Sequence, residues 1–216
     1  MPSDIQGTPT PMTALTRLLT ALFLGLGLAL PAAAQAPQAD LLRISNYLNG
    51  LETMTGDFVQ VGPDGALSRG EFALRRPGRL RFEFDPPNRA LIVADGTWVG
   101  VCDVQIGVFD RFPLSETPLD LLLRDRVDLR DENAVQAIQR AEGQLRVRAI
   151  DPEAPEQGSI TLIFSDVPLA LRQWVVVDAQ GLTTTVALQE TQSNISLDPR
   201  LFVLDEDECE DRSGRR

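Results

Sequence analysis

The chain has 216 residues, 43% of them hydrophobic, and a formal net charge of −11, which describes a globular chain long enough for one real core. It contains no His, and all 20 of its basic residues are Arg, so Ser-His-Asp and Cys-His catalysis, Schiff-base chemistry and a P-loop Lys are excluded. The acidic balance argues against nucleic acid or anionic lipid headgroups as the main partner.

Residues Met1–Pro11 are polar and Pro-rich. From Met12 the chain reads as a secretory signal peptide. Arg17 supplies the positive start, Leu18–Leu30 is an apolar run of 13 residues, and Pro31-Ala32-Ala33-Ala34-Gln35 offers an A-x-A-like cleavage site. Such a run is short for a membrane span. Cleavage is expected after Ala34; an uncleaved anchor is the alternative, and Met12 is an alternative start. The expected organisation is a leader over 1–34, one domain over 35–204, and a charged, flexible tail over 205–216.

Leu41, Ile44, Leu48, Leu51 and Met54 recur at helical spacing. A helix is therefore expected over Asp40–Met54, capped by Asp40 and weakened or divided at Gly50. From Thr55 the period becomes two. Phe58–Val61 reads as a strand and Gly62–Gly65 as a turn. Gly70–Asp85 reads as two strands joined at Pro77-Gly78. Phe72 and Leu74 share one face of the first strand, and Leu80, Phe82 and Phe84 share one face of the second, with charged residues opposite. If the strand runs straight into Pro77, Arg76 falls on the apolar side and needs hydrogen-bond partners there. If the strand twists or ends first, Arg76 stays in water, and pattern alone favours that second reading.

Ala90–Ala94 is apolar on both faces and is expected to be covered on both. Asp95-Gly96 is a hairpin turn. Strands follow over Thr97–Asp103 and Val108–Phe112, then a short helix over Ser115–Leu123 with Thr117 as N-cap and Pro118 at its first position. Asn133–Glu142 has a helical composition in a strand-rich setting, and a strand is the expectation. Leu145–Ala149 and Ile160–Phe164 alternate as strands. Leu169–Asp178 and Leu182–Gln192 form a hairpin, and Asp198–Leu204 is a short last element. Cys102 and Cys209 can pair in an oxidising compartment, but the place of Cys209 in an acidic tail argues against it. The tail carboxylates Asp205, Glu206, Asp207, Glu208 and Glu210 read as a solvated charge run rather than a metal site. Asp85 and Asp95, the carboxylates an acid–base hydrolase would use, read better as turn residues. About ten short antiparallel strands result, with two helices that are too few for a full layer but enough to cap a curled sheet.

Taken in order, Phe58-x-Gln60, the run from Gly70 through Arg76-Pro77 to Phe84-Asp85, Asp95-Gly96-x-Trp98, Thr117-Pro118-Leu119, the late hairpin and the terminal Phe202 form a series. Over Asp40–Leu204 this series resembles the outer-membrane lipoprotein carrier (LolA) family. The resemblance implies a mainly β (α+β) fold, an unclosed antiparallel β-barrel of about ten to eleven strands with a helical lid over an apolar cavity. It also implies a periplasmic carrier rather than an enzyme. Such a carrier binds the acyl chains of lipoproteins from an inner-membrane ABC-type release complex and delivers them to an outer-membrane acceptor, as a monomer without cofactor or metal. In that family the Arg of the Arg-Pro motif holds the lid, a role that falls here to Arg76. The cavity positions implied are Leu48, Leu51, Phe58, Phe72, Leu74, Leu80, Phe82, Phe84, Trp98, Leu119 and Leu122. The alternative is a lipid- or lipoprotein-sensing periplasmic domain on the same half-barrel.

Overall fold

The computed structural model describes residues 35–103, 108–130, 134–203 and 206–213. The leader expected over 1–34 lies outside them. Helix α1 spans Gln35–Asn49 and is followed by β1 Thr53–Val61, β2 Leu67–Arg75, β3 Arg79–Phe84, β4 Leu91–Asp95, β5 Trp98–Asp103 and β6 Val108–Pro113. A 3-10 turn at Leu114–Glu116 leads to the four-residue α2, Asp120–Leu123. Then come β7 Val135–Ala141, β8 Gln144–Ala149, β9 Ser159–Ser165, β10 Ala170–Val177, β11 Thr183–Ser193, a 3-10 turn at Pro199–Phe202 and α3 Glu206–Ser213. Among the described residues no helix is long and apolar enough to cross a membrane.

All the strands join one antiparallel sheet in the order β6-β5-β4-β3-β2-β1-β11-β10-β9-β8-β7. Strands β6 and β7 each have one neighbour, so the barrel is not closed. The register of β2 on β3 sets Phe72 opposite Phe82, Leu74 opposite Leu80 and Gly70 opposite Phe84. These apolar positions face inward because side chains alternate across each strand. Gly70 is required by close approach: a Cβ there would lie 2.0 Å from the Glu83 carbonyl oxygen and 2.9 Å from the Phe58 ring.

The inner face packs against Leu41, Ile44 and Leu48 of α1, against Leu121–Leu123, and against Val127 and Leu129. A second, smaller cluster lies on the outer face, where Leu91, Val93, Cys102 and Phe109 are covered by Cys209 of α3. Strand β4 is thus covered on both faces, as its composition requires. Pairing also fixes two ends of the sheet. The turns at 62–66, 85–90, 150–158 and 178–182 share one end, and those at 76–78, 96–97, 142–143 and 166–169 share the other.

Several expectations are corrected. Helix α1 begins before Asp40 and stops at Asn49, so Asp40 is an interior helix residue and not a cap. Gly50 ends the helix, its N–H bonding the Asn46 carbonyl at 3.0 Å. Met54 lies on β1, where 1% exposure satisfies its apolar chain as well as a helix stripe would. The second helix is only one turn long, and Thr117 does not cap it; its hydroxyl donates to the Leu114 carbonyl at 2.8 Å. The tail is not free: Glu206–Ser213 is helical, and Cys209 is disulfide-bonded to Cys102 with a Cα separation of 5.7 Å. The fold brings together two cysteines 107 residues apart, which no sequence spacing reveals. Strand β7, expected against its helical composition, is present.

Candidate functional site

A cavity of about 770 Å³ opens on the inner face, within the roughly 300–1,000 Å³ typical of small-molecule sites. Its apolar wall is Leu80 and Phe82 from β3, Ile92 from β4, Val99 and Val101 from β5, Phe112 from β6, Trp174 and Val176 from β10, and Val186 from β11, with Pro118 and Leu119 beside them. Aromatic edges stiffen its floor. Phe82 lies 4.6 Å from Phe58 and 6.0 Å from Trp174 between ring centroids, and Phe58 is 4.9 Å from Phe84. Gln60, Gln157, Gln180, Thr184, Glu116, Thr117 and Asp178 supply its polar groups.

Of the expected positions, Leu80, Phe82 and Leu119 open onto this cavity. Phe58, Phe72, Leu74 and Phe84 of the sheet, Leu51, and the helix residues Leu48 and Leu122 are buried together in the core beside it. Trp98 is a correction. It alternates with Val99 and Val101, so it lies on the outer face, where the Arg111 guanidinium sits 4.8 Å from its ring centroid. Ile92, Val99, Val101, Phe112, Trp174, Val176 and Val186 were not anticipated. Their alternating apolar positions are visible in sequence, but which of them escape helix cover is not. Asp95 is a turn residue, accepting the N–H groups of Thr97 and Trp98 at 2.8 Å.

At the sheet end away from the 178–182 turn, Arg76 reaches both helical pieces. Its Nη1 donates to the carbonyl of Leu48, in the last turn of α1, and its Nη2 to that of Arg124, just past α2. A longer bond of 3.4 Å runs from Nη2 to the Asp125 carbonyl. Helix C-terminal carbonyls lack intrahelical donors and carry the negative end of the dipole, so a guanidinium is well matched to them. Burial lowers the Arg76 pKa, and Asp125 partly offsets this. The neighbouring Gly78 N–H donates to the Leu123 carbonyl at 2.8 Å. Arg76 therefore points at helix backbone and not at water.

Helix α1 has further ties. Arg43 and Arg140 both bond the Asp166 carboxylate, and Arg140 also bonds Asp40. The Asn49 side chain pairs with both backbone groups of Val127, at 2.8 and 2.9 Å, and Ser45 accepts the Leu129 N–H at 2.9 Å. The Tyr47 hydroxyl accepts the Leu171 N–H at 3.1 Å.

Residues 49–205 match the family model described as outer membrane lipoprotein carrier protein LolA. An outer-membrane lipoprotein carrier protein of Chromohalobacter salexigens is 30% identical over 197 residues, covering 86% of this chain and 91% of the relative. One from Methylococcus capsulatus is 28% identical over 179 residues, covering 79% and 85%. Among solved structures, a LolA superfamily protein from Nitrosomonas europaea aligns with a TM-score of 0.42 at 12% identity, over 77% of this chain and 97% of that one.

Proposed function

The chain belongs to the LolA family of outer membrane lipoprotein carrier proteins, and from that membership we propose that it ferries acylated lipoproteins through the periplasm with their acyl chains in the inner-face cavity. In this reading the leader over 1–34 directs export. Cargo arrives from an inner-membrane ABC-type release complex and leaves to an outer-membrane acceptor, and the carrier works as a monomer. The chemistry required is shielding, not bond making. Each acyl CH₂ hidden from water is worth about 0.8 kcal/mol, so multiple chains cannot cross an aqueous space bare. The observation that carries the proposal is the apolar-walled cavity beside two helical pieces that one side chain, Arg76, joins.

Arg76 is the latch in this reading, and the piece that moves is 114–126. That segment is tied outward by Arg76, by Gly78, by the Leu114 N–H to the Thr97 carbonyl and by the Arg124–Asp151 ion pair at 3.2 Å. Helix α1 keeps its Asp166, Val127, Leu129 and Leu171 bonds when Arg76 lets go. Cargo exchange then breaks a few hydrogen bonds, each worth roughly 0.5–1.5 kcal/mol net, and lifts Leu114 and Leu121–Leu123 from the core, leaving apolar surface that the acyl chains re-cover.

The direct test is recovery of the chain from periplasm and intact mass measurement of what accompanies it. Bound triacylated lipoprotein is expected, with markedly less bound to a Val101→Asp variant. Recovery without lipoprotein from cells that make it in excess would overturn the proposal.

A further inference from the structure

The cavity's charge is one-sided. Among the described residues its lining holds two carboxylates, Glu116 and Asp178, and several side-chain amides, but no Arg, the chain's one kind of basic side chain. Asp178 sits at the β10–β11 turn, where its Oδ1 accepts the N–H groups of Gln180 and Leu182, both at 2.9 Å. An apolar cavity measures only hydrocarbon, and membrane phospholipids offer hydrocarbon in plenty. What separates a phospholipid from an acylated lipoprotein is the group at the cavity mouth. The former places a phosphate diester there; the latter places glyceryl esters, a thioether and amides, all uncharged.

We propose that Glu116 and Asp178 are specificity determinants that exclude phosphate-bearing lipids, while the amides of Gln60, Gln157 and Gln180 serve the neutral ester and amide groups of lipoprotein cargo. This rests on the carrier reading above and deepens it. A phosphate brought against the exposed Glu116 and the half-buried Asp178 meets like charge, with no Arg among the described lining residues to receive it. A side-chain amide has a donor and an acceptor for uncharged carbonyls and N–H groups, so neutral cargo loses nothing. The selection is by repulsion of the wrong ligand, which a purely apolar wall cannot supply.

The test is displacement of one apolar fluorophore from the full mature chain by three competitors of equal chain length. These are phosphatidylglycerol, diacylglycerol and a triacylated cysteine peptide amide. The wild type should prefer the two neutral competitors. In Glu116→Gln/Asp178→Asn the ratio of phosphatidylglycerol to diacylglycerol affinity should rise roughly tenfold, as expected for removing a close like-charge contact. The Asn variant keeps the Oδ1 acceptor of the turn. Raising salt from about 0.01 M to about 1 M shortens screening from ~30 Å to ~3 Å and should raise the wild-type ratio likewise. Glu142→Gln, at the exposed turn of the opposite sheet end, should move the ratio less than about twofold. Equal affinity of the wild type for all three competitors overturns the inference, as does an equal shift with Glu142→Gln, which would assign the effect to net charge. Failure of every acyl competitor to bind overturns the carrier reading itself.

Discussion

The guanidinium of Arg76 donates to the carbonyl oxygen of Leu48 across 28 residues of chain, joining the end of β2 to the last turn of α1. The same side chain bonds the Arg124 carbonyl. Arg76→Leu removes the donors and leaves both carbonyls to find water. A stability loss of about 1–3 kcal/mol in denaturant titration is expected, since bonds from a charged donor are lost while a partly buried charge is relieved. Amide exchange should quicken around 122–126. Arg76→Lys should recover only part, because one ammonium cannot span two carbonyls in the fork geometry. Unchanged exchange in both variants would remove the latch role.

Exchange also separates the two helical pieces. On loading with acyl cargo, protection should fall in 114–126 and hold in 40–49. Asp166→Asn weakens the partner of both Arg43 and Arg140, and should loosen the first half of α1 even without cargo. If loading deprotects α1 and leaves 114–126 unchanged, α1 is the moving part.

The cavity wall is best tested where it is not also core. Phe82 is 5% exposed and touches Phe58, Phe72 and Trp174, so Phe82→Ala should cost about 3–5 kcal/mol and confound binding with unfolding. Val101 is half-buried and lines the cavity. Val101→Asp should lower affinity for an acyl probe at least about tenfold, by setting a charge against hydrocarbon, at a stability cost under about 2 kcal/mol. Trp98→Ala should change probe affinity less than about twofold, because its ring is on the outer face.

Reduction of the Cys102–Cys209 bond should destabilise the fold by about 2–4 kcal/mol, since the link closes a long loop in the unfolded chain. Eight residues of α3 cannot hold a helix alone. Its release uncovers the outer-face cluster and takes Glu208 from Arg81, which it pairs at 2.7 Å. Cys209→Ser should show the same loss and abolish the mobility shift between reduced and oxidised gels.

Without His, no imidazole titrates near neutrality. Arg130 holds the Asp128 carboxyl down at about 2 from an ordinary 3.8, and Arg200 does the same for Asp198. A depressed folded pKa gives stability that is present above the ordinary value and lost as pH falls toward 2. Stability contributed by these turn pairs should therefore hold above pH about 4 and decline between about 4 and 2. Carboxyl NMR titration checks the midpoints; values near 4 would show that the pairs do not persist in solution.

Much of the sheet was legible because period two is a local property. Phe72 and Leu74 had to share one face of their strand, and Leu80, Phe82 and Phe84 one face of theirs; the register of β2 on β3 joins the two sets and buries them. Pattern set two readings for Arg76, and each is half right: the strand ends at Arg75, before Arg76, yet the guanidinium bonds helix carbonyls and not water. Strand β5 was not legible in the same way. Trp98, Gly100 and Cys102 alternate with Val99 and Val101, and both sets are apolar, so alternation cannot say which set faces inward.

The sequence alone determined the strand-rich class, the positions of most turns and an apolar face on each strand of the 70–85 hairpin, because these depend on residues a few positions apart. Only the tertiary structure decided that Val99 and Val101 line the cavity, that Cys102 meets Cys209, and that helix cover stops short of Phe82 and Trp174. Each of those depends on which distant segments the curled sheet brings together, and burial by a distant segment leaves no period in the chain.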